Sequence, residues 1–222
     1  MKPKHKYIIA VVFGVLFLGF IVLLRTVDVD AIGPEGTKVG FAGLNGAVAK
    51  TFGYNEVWYR LTQLLGYASL ALAGGVAIVG LVQLIQRKSL LKVDINLLFT
   101  GGLYIIVLII YVLFSKIAVN YRPVILPDEG KLEPSFPSSH TMLACVVMGS
   151  VILLIPKYVK SVTVKWAAVT VLALAMMLTV VGRLLSGAHW LTDIAGGVMI
   201  SICLLSLYSA IMDQYGPKNS ME

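Results

Sequence analysis

Long apolar runs dominate this sequence and limit the folds open to it. The uncharged run from Tyr7 to Leu24 is long enough to cross a bilayer as a helix. Five further apolar runs cover residues 61–85, 95–115, 141–156, 167–181 and 194–211. With 58% hydrophobic and only 13% charged residues, the chain is far too apolar for a soluble domain. These patterns predict an all-α integral membrane protein, a six-transmembrane-helix bundle that forms one domain over residues 1–222.

The first apolar run has a second interpretation, as a cleaved signal peptide. Lys2, Lys4 and Lys6 precede it, and Val29 and Ala31 are small enough to serve a cleavage site. Its apolar core is nevertheless longer than the ~7–15 residues usual for a signal peptide. We therefore expect the first helix to be retained.

The segment over residues 25–60 is mixed in composition and rich in glycine. Within it, Phe41, Leu44 and Val48 recur at a spacing typical of a helix. This pattern fits a short helix that lies on the membrane surface, and it fits a folded loop equally well.

Basic residues predict the orientation of the chain in the membrane. Compact basic clusters lie at the N-terminus, at 87–92 and at 157–165, and such clusters mark cytoplasmic segments. Both termini are then cytoplasmic, and the loops over 25–60, 116–139 and 182–193 share the outer face. The net charge of +7 fits attraction to anionic lipid, and we expect no nucleic-acid partner. We expect the protein to lie in the cytoplasmic (plasma) membrane of a bacterium.

A polar stretch ends immediately before the fourth apolar run. Ser138 or Ser139 can cap the helix that follows, and the free N–H groups at a helix start attract phosphate. His140 stands beside them and can exchange a proton near neutral pH. The stretch is consistent with a phosphate cradle, and equally with a plain helix cap beside a surface histidine.

Further ionisable residues fall on the same predicted face. Any one of them could simply reach the membrane interface with its charged end, and for Lys116 alone this is the better interpretation. Their convergence from separate parts of the chain predicts a site. The set comprises Lys116, Arg122, Arg183, His189 and Asp193.

His189 and Asp193 are four residues apart, so on a helix they share one face. A carboxylate in that position can accept the Nδ1 proton of the histidine and leave Nε2 free as a nucleophile. The same logic orients the histidine of catalytic triads.

Three groups of residues together resemble the signature of the type 2 phosphatidic acid phosphatase superfamily. They are Lys116…Arg122-Pro123, Pro137-Ser138-Ser139-His140, and Arg183…His189…Asp193. The third group matches the family spacing in full. The resemblance implies a membrane phosphatase that acts on phosphatidic acid, phosphatidylglycerol phosphate or a polyprenyl pyrophosphate, and the sequence does not choose among them.

The resemblance also implies a role for each residue. His189 would attack phosphorus and form a phosphohistidine, Asp193 would orient it, and His140 would protonate the leaving oxygen. No metal and no other cofactor is expected. Two histidines with Asp193 could instead bind a metal ion, but the neighbouring arginines would repel a cation. The phosphate ligands implied by the resemblance are Arg122, Arg183, Ser138, Ser139 and Lys116.

The sequence departs from the family pattern at four places. Five residues rather than six separate Lys116 from Arg122, which on a regular helix turns Lys116 by about 100° from the expected face. Ser139 stands where the family usually has glycine. Gly182 replaces the usual serine and Leu185 the usual tyrosine, and none of these last three changes removes a proposed catalytic group.

Two other functions are compatible with the same residues. A phosphotransferase acting between a lipid and a sugar could use the same site. A non-catalytic lipid-binding scaffold or transporter would explain the six spans, but not the combination of two histidines with Asp193. The sequence carries no signal for an oligomeric state.

Overall fold

The prediction of an all-α bundle with six spans is confirmed. The computed structural model describes residues 2–127 and 130–216, and within them the regular structure is helical. Six of its seven α-helices are long and apolar enough to cross a membrane, all except α2. The helices are α1 Pro3–Thr26, α2 Ala42–Phe52, α3 Glu56–Arg87, α4 Ile95–Lys116, α5 Ser139–Tyr158, α6 Val162–Leu185 and α7 Leu191–Tyr215.

The helices extend beyond the apolar runs because side-chain caps hold their polar first turns. Asn55 accepts a hydrogen bond from the Trp58 amide at the start of α3, and Ser161 accepts one from the Val164 amide at the start of α6. Capping satisfies amides that lack a partner within the helix. Hydropathy alone therefore underestimates α3, which begins five residues before the predicted span.

The segment over residues 25–60 contains a helix, α2, rather than only a loop. Its buried positions are Ala42 and Asn45, whereas Leu44 is half exposed. The Asn45 amide group donates to the Gly40 carbonyl at 2.8 Å and to the Thr192 hydroxyl at 2.9 Å. This helix is thereby tied to the first turn of α7.

Helix α5 lies at the centre of the bundle and contacts α3, α4, α6 and α7. The core around it includes Phe136, whose ring stacks on Phe17 of α1 at 5.8 Å. A Cβ on Gly196 of α7 would lie 2.3 Å from the Phe136 ring, so only glycine fits there. This close contact fixes the turn before α5 against α7. That the first helix is retained stays a prediction.

At the opposite end of α5, polar side chains join four helices. Lys6 contacts Asp213 at 2.6 Å, and Lys157 donates to the Asn96 side chain at 2.8 Å. The Tyr158 hydroxyl donates to Asp94 at 2.6 Å. These bonds hold together the ends of α1, α4, α5 and α7 that lie far from the candidate active site.

Candidate active site

The three motif segments meet at one end of the bundle. The Ser138 amide donates to the Asp193 carbonyl at 2.9 Å, which joins the start of α5 to the start of α7. The loop between α4 and α5 doubles back on itself, because the Ser135 amide bonds to the Asn120 carbonyl and the Arg122 amide to that of Glu133. Residues far apart in sequence are thus brought together around a single cavity.

This polar cavity has a volume of about 490 Å³. Five of the eight predicted site residues line it: Lys116, Arg122, Ser139, His140 and His189. The other three, Ser138, Arg183 and Asp193, are fully buried.

His189 lies in the loop between α6 and α7, and neither of its ring nitrogens has the environment expected from the sequence. Its Nδ1 is 3.7 Å from Asp193 Oδ2, which is too long for a hydrogen bond. Because α7 begins only at Leu191, the two residues are not one helical turn apart as predicted. Asp193 Oδ2 instead accepts a hydrogen bond from the Trp190 amide at 3.1 Å.

The other nitrogen of His189 is not free, since Arg122 Nη1 lies 3.1 Å from Nε2. A guanidinium can only donate, so Nε2 is the acceptor and the proton of the neutral ring is on Nδ1. Burial, and next the charges of Arg122 and Arg183, hold the pKa of His189 well below its usual value. The ring is therefore neutral near pH 7, and its lone pair is on Nε2, where it accepts the hydrogen bond from Arg122.

Asp193 is held by a residue that the sequence analysis did not find. Its Oδ1 accepts a hydrogen bond from the Asn120 side chain at 3.1 Å, and both residues are buried. Asn120 belongs to the polar stretch before Arg122, but an asparagine in a loop is not by itself a functional signal.

His140 lies in the first turn of α5, where Ser138 is the capping residue and accepts a long bond of 3.5 Å from the Thr141 amide. Its Nδ1 is buried and has no hydrogen-bond partner among residues 2–127 and 130–216. The ring packs on Gly66 of α3, where an added Cβ would lie 2.7 Å from Cδ2. Packing therefore sets the position of this ring.

The two arginines lie on different elements, and of the two only Arg122 lines the cavity. Arg122 donates through Nη1 to the Ala188 carbonyl at 3.2 Å and contacts Glu133 Oε2 through Nε at 3.3 Å. Arg183, in the last turn of α6, donates through Nη2 to Gln63 at 2.7 Å. Its Nε and Nη1 have no acceptor within the described part of the chain.

Lys116 is exposed and lines the cavity. The expected rotation of about 100° assumed a helix that continues to Arg122. Helix α4 instead ends at Lys116, and Ile117 has extended backbone angles, so the helical period does not relate the two residues. The shorter spacing therefore does not remove Lys116 from the site.

A second, mainly apolar cavity of about 470 Å³ continues from the polar one. It lies between α3, α4 and α5, with Leu70, Ala73 and Val147 on its walls. The polar cavity thus adjoins a groove along the membrane-spanning helices. The residues common to both cavities are Gln63, Tyr111, Ser139, His140 and Met142.

No cluster of three His, Cys, Asp or Glu side chains suited to binding a metal ion occurs among the residues that the structure describes. The charged side chains on the wall of the polar cavity are instead mostly cationic. They are Lys116, Arg122 and Lys131, with Glu133 as the acidic member. Such a cavity favours an anion.

Comparison with known proteins agrees with this arrangement. The sequence profile of the PAP2 superfamily matches residues 96–216, more than half of the chain, and the chain belongs to this superfamily. The family resemblance inferred from the motifs is thereby confirmed. Comparison with curated proteins gave no match.

A solved structure has the same fold. It is the crystal structure of a transmembrane PAP2-type phosphatidylglycerolphosphate phosphatase from Bacillus subtilis, with a TM-score of 0.67. The match covers 95% of this chain and 98% of that chain, at 19% sequence identity. The protein is therefore an integral membrane protein with the fold of a PAP2 phosphatase.

Proposed function

We propose that this protein hydrolyses the phosphate ester or pyrophosphate of a membrane lipid through a phosphohistidine on His189. The observation that carries the proposal is the position of His140, on the wall shared by a cationic cavity and an apolar groove. A phosphate in the cavity and a lipid chain in the groove would place the bond to be broken beside His140.

In the first step, Arg122 moves its hydrogen bond from His189 Nε2 to a phosphoryl oxygen, and the freed Nε2 lone pair attacks phosphorus. The bond between phosphorus and the lipid oxygen breaks, and His140 donates a proton to that oxygen. Arg122 and Arg183 offset the charge that builds on the phosphoryl oxygens, and Lys116 and Ser139 bind from the rim. Asp193 acts at a distance, because its negative charge favours the positive charge that His189 gains.

In the second step, water attacks the phosphohistidine. His140 now accepts a proton from the water, the bond between phosphorus and nitrogen breaks, and inorganic phosphate leaves. His189 returns to its neutral form with the lone pair on Nε2. No cofactor enters either step, and cationic side chains balance the phosphate charge.

The apolar groove supports a lipid rather than a water-soluble substrate. Its walls consist mostly of side chains from three spanning helices, which a hydrocarbon chain would contact favourably. A lipid would thus keep its chains in the bilayer while its phosphate reaches the cavity.

The test is phosphate release in detergent from phosphatidic acid, phosphatidylglycerol phosphate and a polyprenyl pyrophosphate, with glycerol phosphate as the water-soluble control. We expect hydrolysis of at least one lipid, little hydrolysis of the control, and unchanged activity in EDTA. Release from none of the lipids would favour a non-catalytic lipid-binding protein. Loss in EDTA that one divalent metal restores would reject metal independence.

A further inference from the structure

The guanidinium of Arg183 is held by side chains that lie outside the three motif segments. Gln63 Oε1, on α3, accepts a hydrogen bond from Arg183 Nη2 at 2.7 Å. The ring of Tyr59, one turn earlier on the same helix, has its centre 5.2 Å from the guanidinium carbon. The spacing of four residues puts both on one face of α3.

These contacts leave two donor nitrogens of Arg183, Nε and Nη1, without a partner among the described residues. Arg183 is fully buried, and its Nε and Nη1 have no acceptor within residues 2–127 and 130–216. Leaving a buried charged donor unsatisfied is costly. A guanidinium presents its donors as a planar fork that matches a phosphate. These two nitrogens therefore suit an anion bound next to Arg183.

The side chain that accepts a hydrogen bond from Arg183, the carboxamide of Gln63, is neutral. A carboxylate at position 63 would form an ion pair and offset the positive charge of the guanidinium. The Gln63 carboxamide accepts one hydrogen bond from Arg183 and, being neutral, leaves the charge uncompensated. Arg122 differs in this respect, because it contacts the carboxylate of Glu133.

We propose that Gln63 is a positioning residue for Arg183: it fixes the guanidinium through a neutral acceptor, so that the full charge and two donors face the phosphate. This inference rests on the proposed function, which assigns Arg183 to the phosphate. Gln63 also lies on the walls of both cavities, which places it where the two adjoin.

The test compares Gln63→Glu with Gln63→Ala. We expect Gln63→Glu to lower kcat/KM roughly 10–100-fold at neutral pH, the usual cost of losing a charge-assisted hydrogen bond to the substrate. The deficit should narrow as the pH falls, because the introduced carboxyl group, once protonated, no longer offsets the charge of Arg183. Gln63→Ala should lower kcat/KM without this recovery, because the guanidinium then loses its support at every pH.

Gln83→Glu is the matched control. Gln83 lies on the same helix and accepts a hydrogen bond from the Asp94 amide at 2.9 Å, at the opposite end of the bundle. We expect this variant to have the wild-type rate and the wild-type pH profile.

Other groups that titrate share the cavity walls with Gln63, so the variant must be compared with wild type at each pH. The ratio of the kcat/KM of the variant to that of the wild type at each pH cancels the titrations that both proteins share. On the polar side these groups are Tyr59, Tyr111, Lys116, Arg122, Lys131, Glu133, His140 and His189, and in the groove they are Tyr67 and Tyr104. Behind the wall lies Arg183 itself.

A binding measurement separates this inference from the proposed function. Inorganic phosphate should raise the melting temperature of the wild type, and Gln63→Glu should lose most of that rise at neutral pH and regain it in acid. If the wild type released no phosphate from any lipid, only the proposed function would fail. If Gln63→Glu bound inorganic phosphate like the wild type, or lost the same affinity as Gln63→Ala at every pH, the role of Gln63 would be overturned.

Discussion

At the scale of single residues, the two histidines differ in what surrounds them. His189 Nε2 accepts a hydrogen bond from Arg122, whereas His140 rests on Gly66 at the junction of cavity and groove. The first environment suits a nucleophile whose lone pair is released when Arg122 turns to a phosphoryl oxygen, and the second suits an acid beside the leaving oxygen. Each assignment leads to a separate prediction.

The role of His140 as an acid predicts a dependence on the leaving group. His140→Ala should lose roughly 10²–10⁴-fold in kcat on an alkyl phosphate. It should lose much less on p-nitrophenyl phosphate, whose leaving group needs little protonation. His189→Ala should be inactive on both substrates, and His5→Ala, in the exposed first turn of α1, should behave as wild type. Equal losses of both site variants on both substrates would contradict the division of roles.

The environment of His189 predicts a shift in the pH profile. Only its neutral form can attack, and its low pKa, set by burial and then by Arg122, keeps that form populated into the acid range. Arg122→Gln removes a charge that lowers this pKa, so the pKa rises and the acid limb of kcat/KM moves to higher pH.

The matched change is Arg60→Gln, on the exposed side of α3. It should leave the acid limb in place. The quantity to compare is the pH at which kcat/KM falls on the acid side. The maximum value of kcat/KM is not a suitable measure, because Arg122→Gln also weakens phosphate binding. An acid limb that stays fixed or moves to lower pH in Arg122→Gln would count against the account.

At the scale of elements, α3 forms one wall of the site although it contains no motif residue. A side chain at Gly66 would press on the His140 ring, which must then retreat by about 1 Å to reach a normal contact distance of ~3.5–4.0 Å. We expect Gly66→Ala to lower kcat by roughly 10–100-fold, since a misplacement of that size is costly in catalysis. Gly74→Ala, on the same helix with open space around it, should keep the wild-type kcat. Wild-type kcat in Gly66→Ala would show that packing does not place His140.

The motifs predicted which segments meet, but not how their side chains contact one another. Charged residues at span ends indicate a shared face, so the convergence of Arg122, His140 and His189 could be predicted from sequence. The contact of Asp193 could not, because it depends on α7 starting at Leu191 rather than before His189. Gln63 and Asn120 carry no pattern that separates them from other amides in a helix or a loop. Their roles depend on tertiary packing.

At the scale of the whole molecule, hydropathy was sufficient to predict the six spans and missed mainly the capped polar turns at their ends. The orientation follows from basic residues, which predict that the end containing the polar cavity faces outside. Lys50 on α2 and Lys160 between α5 and α6 are exposed and lie at opposite ends of the bundle.

A cysteine at each of these positions tests the orientation. In intact cells, an impermeant thiol reagent should label Lys50→Cys and should label Lys160→Cys only after the membrane is opened. The native Cys145 is buried and Cys203 is half buried within the bundle, so the unmodified chain gives the background. If only Lys160→Cys were labelled in intact cells, the orientation would be the opposite of the predicted one. The C-terminal residues after 216, predicted to be cytoplasmic, lie outside the described residues.

The central claim is that the reaction passes through a phosphohistidine on His189. The most direct measurement is to mix the enzyme with a lipid substrate labelled in the phosphate that is transferred, quench it in alkaline detergent, and locate the label by mass spectrometry of the peptide. We expect a label on His189 that is stable in alkali and lost in acid, absent from His189→Ala and retained in Arg60→Gln. A label on another residue, or an active enzyme that never acquires one, would contradict it.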